Sequence, residues 1–442
     1  MLRGKVCLAM DRKKEENQMS KTIEDFYEIE PYSLAAAEKR ALLLERLNDL
    51  TVRHIQGCDR YSSIIKTVYS GTPGHGIDLR TEDWRAKAEY DESYLTEYIP
   101  AEAKSVEEVP FLPVALFKRL ELKSVRDEDV FKTMTSSGTT GQQVSKIFLD
   151  KATAKNQQKV LVEIVKSFTG ASRMPMIILD CPSVVKDRAM FSARGAGILG
   201  FSMFGSKKIY AFDDDMKLDV EGIKNFVSEH EGETIFMFGF TFMIWQYFYK
   251  ELKKISDADG VGIAPGATAG VESKIDSDCG CSSSASESGK HILDLEKAVL
   301  IHGGGWKKLI NEAVGKDKFK QCLHDVCGIA VENVHDYYGM VEQTGCVYME
   351  CECGHLHASI YSDVITRRMK DFSVCDFGEE GVIEVLSSLP ESYPGHAILT
   401  EDVGVVLGED DCPCGRKGKY FEVHGRMAKA EVRGCSDTFE RK

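Results

Sequence analysis

Nowhere among the 442 residues does an apolar run approach the roughly 20 needed to span a bilayer as a helix. The apolar stretch inside the opening MLRGKVCLAMDRKKEEN is too short for a secretory signal, so residues 1–22 read as a disordered extension of a cytoplasmic protein. Positive charge is in deficit. The 56 Lys and Arg face 70 Asp and Glu, and the resulting net charge of −14 repels nucleic acid and anionic lipid. A GxxxxGK[ST] phosphate loop is missing, and no internal repeat is evident. The 14 cysteines of a cytoplasmic chain are free thiols, metal ligands or nucleophiles rather than a disulfide frame.

What is there is a long chain with an ordinary globular composition, enough for a large α/β domain or two to three subdomains. Ser33 is a plausible N-cap for a helix over 33–50, with Leu34, Leu42, Leu43, Leu47 and Leu50 on its apolar face. Residues 106–123 place two prolines ahead of a further apolar helix or strand. The runs 176–180, 234–238 and 298–301 read as buried strands, and 217–229 and 241–254 as helices between them. Strands separated by helices imply a mainly parallel sheet flanked on both faces. Residues 256–290, rich in Ser, Gly, Ala and Asp and free of aromatics, cannot offset their ordering entropy and read as a flexible insertion. The thiols Cys279 and Cys281 within it read as exposed.

Several short motifs have the chemistry of a nucleotide site. In Thr135-Ser136-Ser137-Gly138-Thr139-Thr140-Gly141 the hydroxyls and flexible backbone can wrap phosphate oxygens, although a plain linker has the same composition. Gly303, Gly304 and Gly305 follow a strand and allow backbone to approach a ligand closely. In Asp336-Tyr337-Tyr338-Gly339-Met340-Val341-Glu342 a tyrosine can flank a purine while a carboxylate holds Mg²⁺. Asp402 suits ribose hydroxyls, and Gly425-Arg426 suits a hinge.

Taken in this order, the motifs resemble those of the adenylate-forming superfamily. Within it the likeness is to the acyl-protein synthetases of bacterial luminescence systems (LuxE-like), with the phenylacetate–CoA ligase-like enzymes as neighbours. VPFLPVALFK, SSGTTG, HGGGWK, DYYGMVEQ, CPCGR and the segment around Cys435 carry it, from about Phe26 to Phe439. The resemblance implies a large adenylate-forming α/β domain over 23–424, with mainly parallel sheets flanked by helices. A small β-rich, zinc-stabilised part would cover 346–424, and the C-terminal domain would shrink to a hinge and tail over 425–442. Ser136 to Gly141 would cradle ATP phosphates, Gly303 to Gly305 would border adenine, and Tyr338 and Gly339 would flank the base. Glu342 would bind Mg²⁺, while Asp402 and Arg426 would hold ribose and adenylate. Two positions depart from the superfamily pattern: Val341 replaces the usual Thr of YGxTE, and no PK follows the hydroxyl loop.

The resemblance also makes Cys435 the acceptor of an activated carboxylic, fatty acyl group, which would pass to an acyl-CoA reductase-type protein. Nine residues separate Arg426 from Cys435, a reach of about 30 Å when extended. Arg433 can lower the thiol's pKa. The alternatives are a CoA ligase, in which CoA replaces Cys435, and a noncatalytic zinc-stabilised scaffold. The metal reading rests on donor chemistry alone. Cys351 with Cys353 or His357, joined by Cys412 and Cys414, supplies two loops of soft ligands to a structural Zn²⁺. Phe191, Phe201, Phe204, Phe238 and Phe240 lie where relatives line their acyl pockets.

Overall fold

The computed structural model describes residues 22–69, 102–136, 143–186, 193–258 and 291–427. Ser137 to Gly141, Phe191, Cys279, Cys281 and Cys435 lie outside the described residues, as does nearly all of the 1–22 extension. The chain divides into two compact units, one formed by residues 1–172 with 336–442 and the other by 173–335.

In the 173–335 unit, four parallel strands lie in the order Gly205–Tyr210, Met174–Ile178, Ile235–Phe240, Ala298–Gly303. Met174–Ile178, Ile235–Phe240 and Ala298–Gly303 are buried along their whole length, as expected of unbroken apolar runs in a parallel sheet. The helix Val220–Glu229 begins where the Asp219 side chain accepts from Gly222 N. The expected helix over 241–254 departs from α geometry. A turn at Thr241–Met243 leads into a π-helical stretch, Ile244–Tyr249, before Lys250–Ala258 returns to α. Trp245 and Tyr249 stack there at 4.4 Å. Ser256 is buried within that last helix, so the insertion expected to begin at 256 is helical through Ala258.

The other unit holds an antiparallel sheet. Its strands run Ser362–Arg367, Glu380–Ser387, Ala397–Glu409, Lys419–Arg426, Leu356–His357, Tyr348–Glu350, and then the Tyr337–Tyr338 end of Val334–Tyr338. Leu112–Pro113 adds a short parallel pairing to Ile398 and Leu399. Tyr61, Phe117, Leu149, Ile383, Tyr393 and Phe421 are among its core residues. Helix Ala36–Gly57 buries Leu43, Leu47 and Leu50 as expected, but begins three residues beyond Ser33. The Ser33 hydroxyl is engaged elsewhere, donating to Glu30 O at 2.9 Å. Asp363 sits buried between Lys419 (2.9 Å) and Lys39 (3.8 Å). Burial alone would raise its pKa, but the two ammonium groups hold it below the usual carboxylate value.

Candidate nucleotide and metal sites

The long strands Ala397–Glu409 and Lys419–Arg426 pair so that Asp402 lies opposite Arg426. Tyr338 joins them. Its hydroxyl donates to Asp402 Oδ2 at 2.7 Å, and Arg426 Nε lies 3.4 Å from Oδ1. Burial, then the adjacent Asp402 charge, pushes the Tyr338 phenol well above its ordinary pKa, so it stays a donor. Asp402 N donates to Thr400 Oγ1 at 3.1 Å, fixing the carboxylate's backbone. A phenol, a carboxylate and a guanidinium from three strands form a polar rim, half-buried at Tyr338 and Asp402 and exposed at Arg426. Its groups are suited to the hydroxyls and phosphate of a nucleotide.

Glu342 follows on the 3₁₀ turn Val341–Gln343. It is 3% exposed, and its Oε1 has no hydrogen-bond partner. Burial raises its pKa, while the Ser145 hydroxyl beside it and the more distant Arg426 oppose the shift. The turn is pinned from below. Gln343 Nε2 donates to Val385 O and Gly395 O at 3.0 and 2.8 Å, and Tyr393 Oη donates to Glu342 O at 2.9 Å. A buried carboxylate oxygen without a partner is costly unless a cation or donor meets it, which fits a metal ion here. Gly339 is exposed just ahead of this turn.

Ser136 ends the strand Lys132–Thr135, which pairs with Lys146–Leu149. Ser136 N donates to Ser145 O (3.1 Å), and Ser145 N donates back to Ser136 Oγ (2.9 Å). In the other unit Gly303 ends its strand buried, while Gly304 and Gly305 are exposed. Gly304 adopts φ +80°, and a Cβ there would lie 3.1 Å from the Phe240 ring, so the turn requires glycine. Thr241 Oγ1 lies 3.0 Å from His302 Nδ1 and 3.2 Å from Gly303 O. Thr241 follows the apolar strand Ile235–Phe240 directly, outside every motif named from the sequence.

Soft donors gather at the other end of the same two long strands. Cys351, His357, Cys412 and Cys414 each offer one ligand atom, and these four atoms lie within 4.8 Å of one another. The Cys351 and Cys412 sulfurs are 3.9 Å apart, and His357 Nε2 is 3.4 Å from the Cys414 sulfur. A tetrahedron with metal–sulfur bonds of about 2.3 Å has edges of about 3.8 Å, so the donor set fits a four-coordinate metal. Between the alternatives left open by the sequence, His357 is in the group and Cys353 is exposed outside it. Burial lowers His357 to a pKa of about 3, leaving its imidazole in the neutral, ligating form. Burial raises the Cys351 thiol to about 11, so metal binding there would displace a proton. His355, which sequence reading did not single out, brings Nδ1 to 3.4 Å from the Cys412 sulfur. Gly418 (φ +92°) closes this hairpin, where a Cβ would sit 2.7 Å from Ala358 O.

The family model of acyl-protein synthetase, LuxE, matches residues 97–259 and 291–442. The chain belongs to this family. Membership makes it an acyl-protein ligase. A long-chain-fatty-acid–luciferin-component ligase of Aliivibrio fischeri is 22% identical over 79% of this chain and 82% of its own length. Its counterpart in Vibrio harveyi is 26% identical over 31% of this chain and 35% of its own. Among solved structures, 2-hydroxyisobutyryl-CoA ligase with 2-HIB-AMP superposes with a TM-score of 0.54 at 11% identity. That match covers 90% of this chain and 69% of the ligase. An open conformation of that ligase with 2-HIB-AMP and CoA gives 0.54 at 13% identity, covering 91% and 78%. At such identity the likeness is one of fold, and it places this LuxE-family chain on the adenylate-forming scaffold. Among the described residues no helix is long and apolar enough to cross a membrane.

Proposed function

We propose that this LuxE-family ligase activates a long-chain fatty acid with ATP and stores the acyl group on Cys435. The carboxylate oxygen attacks the α-phosphorus, the bond to the β,γ-diphosphate breaks, and acyl-AMP and pyrophosphate form. The Cys435 thiolate then attacks the acyl carbonyl, AMP leaves with the bonding electron pair, and a thioester remains. Adenylation replaces a poor leaving group by a good one, which is why ATP is consumed before the thiol acts.

The observation that carries this reading is the Tyr338–Asp402–Arg426 constellation. Asp402 accepts from ribose hydroxyls, Arg426 faces the charge on the adenylate, and Tyr338 lies along the base beside Gly339. Ser136 to Gly141 cradle the phosphates, and Gly303 to Gly305 border the adenine. The buried, partnerless Oε1 of Glu342 suits Mg²⁺, which would neutralise phosphate charge during transfer. Zn²⁺ at Cys351, His357, Cys412 and Cys414 has a structural role, because four protein ligands leave no position for a reacting water. The reaction is cytoplasmic, and the acyl thioester passes to a reductase-type protein.

Intact-mass measurement after incubation with ATP, Mg²⁺ and a panel of fatty acids tests the whole reading. One acyl mass should be gained and should sit on Cys435. Cys435→Ser should keep pyrophosphate exchange yet lose the adduct. Labelling that survives this substitution removes Cys435 from the mechanism. CoA-dependent AMP release by that variant at the parent's rate makes CoA the acceptor instead.

A further inference from the structure

Tyr32 belongs to the segment that precedes helix Ala36–Gly57, far in sequence from the four soft donors, yet it lies against one of them. Its backbone is fixed to the donor-bearing hairpin, with Lys417 N donating to Tyr32 O at 2.9 Å. Next to it, Ile360 N donates to Pro31 O at 2.8 Å. The Tyr32 ring meets His357 edge-on, with centroids 6.2 Å apart and planes at 89°. His357 also stacks with Tyr420, at 5.7 Å and 25°, so the imidazole has two aromatic neighbours.

Each of these two neighbouring residues has a buried polar atom without a hydrogen-bond partner: Tyr32 Oη and His357 Nδ1. Each would carry a desolvation penalty if left so. Such atoms are rare in folded proteins and call for a reason. The reason follows from the other ring nitrogen. His357 Nε2 faces the Cys414 sulfur at 3.4 Å, inside the donor set. A neutral imidazole that gives Nε2 to a metal must carry its proton on Nδ1, and that N–H needs an acceptor. Metal-bound histidines nearly always have one, which fixes the tautomer and makes the ligand more basic.

We propose that Tyr32 is the positioning residue of the metal centre, its phenol oxygen accepting a hydrogen bond from His357 Nδ1–H when Nε2 binds zinc. This rests on the zinc reading given above and goes beyond it. The N-terminal segment, which supplies no ligand, sets the strength of the centre. Arg416, paired with Glu352 at 3.0 Å, lies 4.1 Å from the centre of the Phe168 ring and 6.0 Å from that of Tyr32. Phe168 meets Tyr32 edge-on at 5.7 Å and offers only apolar surface.

The test uses the full chain and zinc alone, titrated in competition with a chromophoric chelator. Tyr32→Phe removes one oxygen and leaves the ring, so it should retain one zinc per chain while binding it about 10–100-fold more weakly. Without metal it should melt with the parent, and with saturating zinc below it. A loss of affinity smaller than tenfold overturns the proposal and leaves the zinc reading standing. Phe168→Leu disturbs the packing of the same ring without touching its oxygen. An equal loss in that variant assigns the effect to packing and overturns the proposal too. If the parent binds no zinc, or Cys412→Ser binds it as tightly as the parent, the zinc reading fails first and takes the proposal with it.

Discussion

The strand pair Ala397–Glu409 and Lys419–Arg426 has two ends of opposite character. At one end Asp402 is half-buried and Arg426 is exposed. At the other, beyond the Glu409–Lys419 pair, Cys412 is buried and its sulfur faces Cys351. On the proposed reading the same antiparallel ladder carries a site for transient binding and a site for permanent closure. Exposure separates them: a substrate must enter and leave, whereas a structural metal is held best when water and competing ligands are kept out.

The closed end should give the largest response to mutation. Cys412→Ser should abolish zinc binding and remove about 4 kcal/mol of stability when zinc is a thousandfold above its dissociation constant. Metal analysis and thermal melts with and without chelator check this; a variant that keeps its metal and melting temperature breaks the contrast. At the open end, Glu342→Gln should lower the rate of pyrophosphate exchange by about 10²–10³, as for loss of one transition-state charge contact. Its zinc content should not change. Asp402→Asn removes the charge proposed to accept from the ribose hydroxyls but keeps an oxygen for the Tyr338 hydroxyl, a loss of about 1.5–3 kcal/mol in charged hydrogen bonds to ATP. The KM for ATP should rise accordingly while melting stays near the parent's. An Asp402 variant that melts early instead would make the open end structural.

Acid should weaken the metal end, whose thiols must lose protons to bind, and should act also on a buried histidine pair in the core. His54 and His396 stack at 5.0 Å and are buried. Burial lowers both pKa values, that of His396 to about 3, with the neighbouring Arg46 adding to it there. The folded protein therefore binds fewer protons than the unfolded chain, whose histidines titrate near 6.5. Stability from these groups is complete above about pH 6.5 and is lost as pH falls toward 3. At pH 5 the loss should be about 2 kcal/mol for His396. Denaturant melts at pH 7.5 and 5 measure it, and His396→Gln should flatten the dependence. Smallest of all should be Cys353→Ser, since this thiol is exposed and outside the donor group. A shift within about 0.5 kcal/mol and unchanged zinc stoichiometry are expected.

The sequence by itself determined the class of fold, the order of the motifs and the chemistry of the donors. Uninterrupted apolar strands such as Ile235–Phe240 are legible because burial on both faces leaves no polar alternation. Paired cysteines such as Cys412 and Cys414 are legible because few other environments collect soft ligands so closely. What only the tertiary structure decided is which residues meet. The choice of His357 over Cys353 depends on which one the Tyr348–Glu350 and Leu356–His357 pairing turns toward Cys414. The join of Tyr338 to Asp402 spans 64 positions, and the contact of Tyr32 with His357 spans still more. The π-helical turn at Ile244–Tyr249 was likewise invisible, because α and π turns share the same apolar pattern until packing selects one. Local pattern reports which face of a segment avoids water. Only the folded register brings distant faces together, and the two sites exist in that register.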